Sequence, residues 1–125
     1  MRVFTEALHS EDPRARANAA GLLAGLGPDA STALGDLVAC LSDPRPFVRA
    51  SAARAPGAIG QAAVSAVLGL TKCLADPDPS VRCEAATALG KLGGEAVGAV
   101  PELTKLLNDP DPKVQKAAKA AIAGM

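Results

Sequence analysis

LADPDPSVRC, residues 74–83, returns with few changes as LNDPDPKVQK, residues 107–116. The second proline of each pair anchors the comparison: it falls at Pro13, Pro46, Pro79 and Pro112, each 33 residues after the last. Arg16, Arg49, Arg82 and Gln115 stand three residues later. Leu8, Leu41, Leu74 and Leu107 stand five residues earlier. Gly27, Gly60 and Gly93 keep the same period. A period held without insertion along a chain marks a repeat architecture. Each unit is too small to bury its own apolar face and leans on its neighbours.

Inside one unit the pattern is helical. In PSVRCEAATALGKLGG, residues 79–94, Val81, Ala85, Leu89 and Leu92 fall on one face of a 3.6-residue helix. Asp78 supplies a capping carboxylate, and Pro79 stands at the first helical position, where a missing N–H costs nothing. Gly93 and Gly94 close that helix. A second apolar series, Val97, Val100, Leu103, Leu106 and Leu107, predicts another helix that ends at the next Asp-Pro. The doubled Asp-Pro is then architecture: the first makes the turn out of one unit and the second starts the next.

The string DPDPSVRCEAATALGKLGGEAVGAVPELTKLLND, residues 76–109, resembles a HEAT repeat, particularly the short form named after the bilin lyases. The resemblance rests on the Asp-Pro, the Val-Arg and Ala-Ala pairs, the Leu-Gly and the closing Leu-Leu, and it covers Ser10 to Met125. It implies an all-α protein, a right-handed α-solenoid of stacked helical hairpins with about eight helices and second helices lining a concave face. On that basis residues 1–125 form a single domain: a half repeat (1–9), repeats 10–42, 43–75 and 76–108, and a terminal helix in 109–125. The resemblance also implies a ladder of exposed pairs in which Arg16, Arg49 and Arg82 meet Asp43, Asp76 and Asp109. Ankyrin repeats share the period, but their Thr-Pro-Leu-His string does not occur; armadillo repeats are longer.

Composition narrows the function. Thirteen Lys and Arg balance thirteen Asp and Glu, so the basic excess of a nucleic-acid or anionic-membrane binder is missing. Phe4 and Phe47 are the only aromatics, which leaves no stacking platform for bases. The greasiest stretch, 55–70, is broken by Pro56, Gly57, Gly60 and Gln61 and is short for a membrane span. Three cysteines, an odd number without a CxxC pair, point to a reducing, cytoplasmic compartment. Cys40 and Cys73 share a core position with Leu106, and Cys83 has no base at hand. His9 is the only histidine, with no second ligand at useful spacing. No metal, cofactor or catalytic constellation is expected.

Two residues break the pattern. Pro56 replaces the core residues Leu23, Leu89 and Ile122, so helix Pro46–Ile59 is expected to kink or stop early. Phe47 takes a surface slot filled elsewhere by Arg14, Ser80 and Lys113, as an anchor for a partner or packed on the adjoining turn. Lys113, Lys116 and Lys119 give the last helix one polar face, as a terminal cap needs. The start in mid-repeat leans towards a piece of a longer array.

The function expected is a non-catalytic scaffold that binds a protein or peptide, with no nucleic acid and no membrane. The candidate surface is Asp36, Thr71, Lys72, Glu102, Thr104 and Lys105, with Phe47 beside it. The alternative carried by the resemblance is a bilin lyase-like subunit that handles a chromophore. The related deoxyhypusine hydroxylases hold iron through His-Glu pairs, and no such pair occurs here. HEAT-like glycosylases and a designed array without a natural partner are the remaining classes.

Overall fold

A computed structural model describes residues 2–60 and 64–125, with side chains for 5–60 and 66–125. The described residues are helical, without strands: α1 (Arg2–Ala7), α2 (Pro13–Leu26), α3 (Leu34–Cys40), α4 (Pro46–Ile59), α5 (Val64–Cys73), α6 (Pro79–Leu92), α7 (Val100–Lys105) and α8 (Pro112–Ala123). The expected count of about eight helices needs correction to six. Six helices run seven residues or more; α1 and α7 are six residues each, less than two turns.

The short α7, and the seven-residue α3, have a cause in the glycines before them. Gly27 and Gly93 take positive φ (61° and 64°), a conformation that side chains resist. Each opens a seven-residue 3₁₀ segment, Gly27–Ala33 or Gly93–Ala99, before the next α-helix begins. With three residues per turn, side chains at i and i+3 line up. Ala96 and Ala99, like Ala30 and Ala33, therefore turn inward. Val97 turns out and is 58 % exposed, and Leu107, in the 3₁₀ turn Leu106–Asn108, is 41 % exposed. Both were expected in the core.

The helices that open each unit form one continuous row, with α2 against α4, α4 against α6 and α6 against α8. The approach is close because it is made by small residues. A Cβ added to Gly57 would lie 2.9 Å from Ala88 Cα, and one added to Gly90 would lie 2.9 Å from Ala121 Cα. The alternate helices pack beside their successors, α3 on α4, α5 on α6 and α7 on α8, with α3 also touching α5. The buried set repeats with the sequence: Val48, Val81 and Val114; Ala52, Ala85 and Ala118; Leu37, Leu70 and Leu103. Cys40 and Cys73 are buried in it, as expected, and each thiol reaches the carbonyl of Leu8 or Leu41 at 3.8 Å. Burial pushes the Cys73 thiol up to about 11, with the nearby Asp76 carboxylate adding to the effect.

Asp12, Asp78 and Asp111 cap α2, α6 and α8, accepting from the amides of Arg14, Ser80 and Lys113. Of the kink or early stop expected at Pro56, the early stop does not occur: α4 continues to Ile59, with Pro56 wholly buried inside it and its carbonyl accepting from the Gly60 amide. Burial of Ala52, Ala53, Ala55 and Ile59 around it holds the helix through the missing donor.

The turns carry three matching rungs. Arg16 grips Asp43, Arg49 grips Asp76 and Arg82 grips Asp109, each through two bonds of 2.7–3.2 Å. Each guanidinium also donates to a carbonyl at the start of its own unit, of Ser10, Asp43 or Asp76. Each carboxylate accepts besides from the amide two residues on, of Arg45, Asp78 or Asp111. The pairing is as expected, but the exposure is not: these side chains are only 5–15 % exposed.

Candidate functional site

The α3, α5 and α7 side chains that point away from α4, α6 and α8 make one face. Its positions are spaced by the period, and their occupants match only in part: Gly35, Leu68 and Pro101; Asp36, Gly69 and Glu102; Ala39, Lys72 and Lys105; Val38, Thr71 and Thr104. Buried positions one or two residues away repeat nearly unchanged.

Most of the sequence-derived residues on this face are already engaged. Asp36 lies 3.1 Å from His9 Nε2, a pairing that brings together residues 27 apart and that the sequence reading missed. Glu102 pairs with Lys105 at 3.3 Å, one turn along α7. The Thr71 and Thr104 hydroxyls donate back to the carbonyls of Val67 and Val100, which leaves them little to offer a ligand. Lys72 differs: it is exposed, and among the described residues it forms no ion pair.

Lys72 stands at the rim of a hollow of about 340 Å³ between α3 and α5. Val38, Leu41, Leu68 and Gly69 make its apolar wall, and Ser42 and Asp76 share the rim. Leu68, 59 % exposed, was not among the sequence-derived residues. Its signal was present: at positions 35 and 101 the same slot holds Gly and Pro.

Phe47 stands apart. It is 44 % exposed on the first turn of α4, beside a second hollow of about 310 Å³ that it shares with Ser51, Arg54, Asp78 and Ser80. There Arg54 of α4 meets Glu84 of α6 at 2.6 Å. Cys83 lies nearby, half-buried, its thiol pushed up by burial and by the Glu84 carboxylate. A raised thiol is a weaker nucleophile at neutral pH.

Among the described residues, no group of three or more His, Cys, Asp or Glu side chains is placed to hold a metal ion. No helix among them is long and apolar enough to cross a membrane.

A family model described as HEAT repeats matches residues 1–69 and again 67–125. No curated protein matches the chain at a significant level. Among solved structures, an engineered protein superposes with a TM-score of 0.82 at 28 % identity, over 97 % of this chain and 61 % of its own length. The complex of CpcE and CpcF of phycocyanin lyase from Nostoc sp. PCC7120 gives a TM-score of 0.67 at 28 % identity, over 98 % of this chain and 64 % of that one. A designed armadillo repeat protein in complex with the peptide (KR)4 gives 0.81 at 23 % identity, over 97 % of this chain and 62 % of its own, a likeness of fold alone. The chain thus spans about three fifths of the length of these structures. The architecture is that of a HEAT- or armadillo-like repeat scaffold.

Proposed function

We propose, for a chain that belongs to the HEAT-repeat family, that it is a non-catalytic scaffold binding a protein or peptide on the face formed by α3, α5 and α7. We place that face on the concave side of a right-handed solenoid. Its units are a half repeat at 1–9, repeats at 10–42, 43–75 and 76–108, and a terminal helix in 109–125.

One observation carries the reading. The exposed positions of this face repeat with the period less strictly than the core positions do, so a regular frame presents a partly irregular set of side chains. Mixed charge on the face, Asp36, Lys72, Glu102 and Lys105, favours a protein or peptide over a polyanion. The designed neighbour was solved with a peptide, which supports the same use of the fold.

A photo-crosslinking residue placed at Lys105 tests this. Exposed to a lysate of the source cells, it should yield discrete adducts, whereas the same group at Thr87, on α6, should yield none. Equal labelling at both positions, or none at either, counts against the proposal.

The likeness to the CpcE–CpcF complex favours a second reading, a subunit that handles a bilin chromophore. Titration with a free bilin, followed by absorbance, separates the two: a saturable spectral shift that Lys72→Glu abolishes would favour the chromophore.

A further inference from the structure

We propose that the hollow between α3 and α5 recognises an apolar side chain of a leucine type with an Asp or Glu beside it, so that the partner segment is acidic and apolar rather than basic. This rests on the peptide-binding reading above and assigns the chemistry of its ligand.

Two departures from the repeat and one unpaired lysine coincide at the hollow. The slot that holds Gly35 in α3 and Pro101 in α7 holds Leu68 in α5. The slot that holds the carboxylates Asp36 and Glu102 holds Gly69. The slot that holds Ala39 in α3 holds a lysine in both later helices, and of these Lys105 is paired with Glu102 while Lys72 forms no ion pair among the described residues. The first departure adds exposed apolar surface, and the second removes the carboxylate that in α7 pairs with the equivalent lysine, so the charge of Lys72 is left unpaired. Leu68 and Lys72 are four residues apart and so share one strip of α5.

Gly69 also sets the shape. A Cβ there would stand 2.7 Å from Leu41 Cδ1, so a side chain at this position would crowd the wall that the hollow uses. About 340 Å³ is the small end of the range for ligand pockets, roughly 300–1,000 Å³. It suits one or two side chains of an extended segment.

The charge balance decides the class. Among the described residues Asp76 is the only carboxylate lining the hollow, and both its oxygens already accept hydrogen bonds. They accept from Arg49 Nε at 2.7 Å and Nη2 at 3.1 Å, and Oδ1 also accepts from the Asp78 amide at 2.9 Å. Its charge is already matched by the Arg49 guanidinium, which weakens its pull on a cationic ligand. The ammonium of Lys72 is uncommitted among the described residues, and the exposed Ser42 hydroxyl stands on the same rim. A ligand carboxylate gains a charge-assisted contact there, while a lysine or arginine would meet only Lys72.

Selection of a random 12-residue phage-displayed peptide library on the full chain tests this. Enriched peptides should carry Leu, Ile or Met next to Asp or Glu. Synthetic copies should bind roughly tenfold more weakly to Lys72→Glu and to Leu68→Ser, and more weakly still as salt rises. Both residues are exposed, so circular dichroism should show both variants folded. Lys72→Glu should instead gain affinity for copies in which the acidic residue is replaced by Lys. Enriched basic peptides, or acidic ones whose binding ignores both substitutions, overturn this inference and leave the scaffold reading standing. Failure to enrich any peptide overturns both.

Discussion

The guanidinium of Arg49 holds a carbonyl of its own unit and the carboxylate of the next, so one side chain ties two hairpins together. With both partners mostly out of water, removing one leaves a charge without its mate. Arg49→Met should therefore cost about 2 kcal/mol in urea denaturation. Asp76→Asn, which keeps the bond to the Asp78 amide, should cost less, and the double variant should cost less than the two losses added. Acid acts on the same rungs. Burial alone would raise the carboxyls of Asp43 and Asp109. The bonds from Arg16 and the Arg45 amide, and from Arg82 and the Asp111 amide, outweigh it and hold both below the ordinary carboxylate range. The unfolded chain, with carboxyls near about 3.9, then takes up protons first as pH falls. This part of the stability is complete above about pH 5 and drains as pH drops through the ordinary carboxylate value towards the lower folded one. The urea midpoint should fall over that window, and Asp43→Asn should make the fall shallower. The pairing itself could be anticipated from the resemblance and the period. Its enclosure could not, because exposure depends on how deeply the turn between neighbouring hairpins folds over the side chains.

At the scale of helices, glycine has opposite meanings at two places. Gly21 lies inside α2 with nothing within 4 Å of an added Cβ, so Gly21→Ala should stabilise by roughly 0.5–1 kcal/mol through helix propensity alone. Gly90 faces the backbone of Ala121. Gly90→Val should force α6 and α8 apart and lower stability by about 1–3 kcal/mol, a contrast that thermal melts of the two variants will show. Pro56 gives a third case. Its ring removes a donor from the middle of α4, at a cost of about 3 kcal/mol. Pro56→Ala should recover part of that, offset by the lost burial of the ring, and raise the melting temperature. The sequence marked Pro56 as a kink or an early stop because local rules see only the chain; the early stop does not occur, and the burial of Ala52, Ala53, Ala55 and Ile59 along α4 holds the helix to its end. Val97 and Leu107 misled in the same manner: spacing read at 3.6 residues per turn puts both inside, and a 3₁₀ segment turns them out.

Across the whole molecule, the period made the hairpins and most buried positions legible from the letters, since Val48, Val81 and Val114 announce their equivalence by spacing alone. The candidate surface was legible only in part. Lys72 stands where a ligand contact could form, whereas Phe47 belongs to a different hollow, and Thr71 and Thr104 bond inward. Such outcomes turn on rotamers and cross-helix distances, which a period does not encode. Leu22 illustrates the limit again. It is 55 % exposed, although its equivalent, Ala55, is sealed, because Ala55 has the first helix of another hairpin before it and Leu22 does not.

The rungs have a direction, because a guanidinium always reaches forward to a carboxylate one unit ahead. An extra block cut anywhere at that spacing would supply both halves of the join it creates. A second copy of residues 76–108, spliced in after Asn108, presents its own aspartate to Arg82 and its own arginine to Asp109. It also sets an alanine against Gly90. The lengthened protein should fold without adjustment elsewhere, with helical ellipticity rising in proportion and a higher melting temperature. Growth by any fraction of a unit would orphan a charge, so this molecule can change its length only in whole steps.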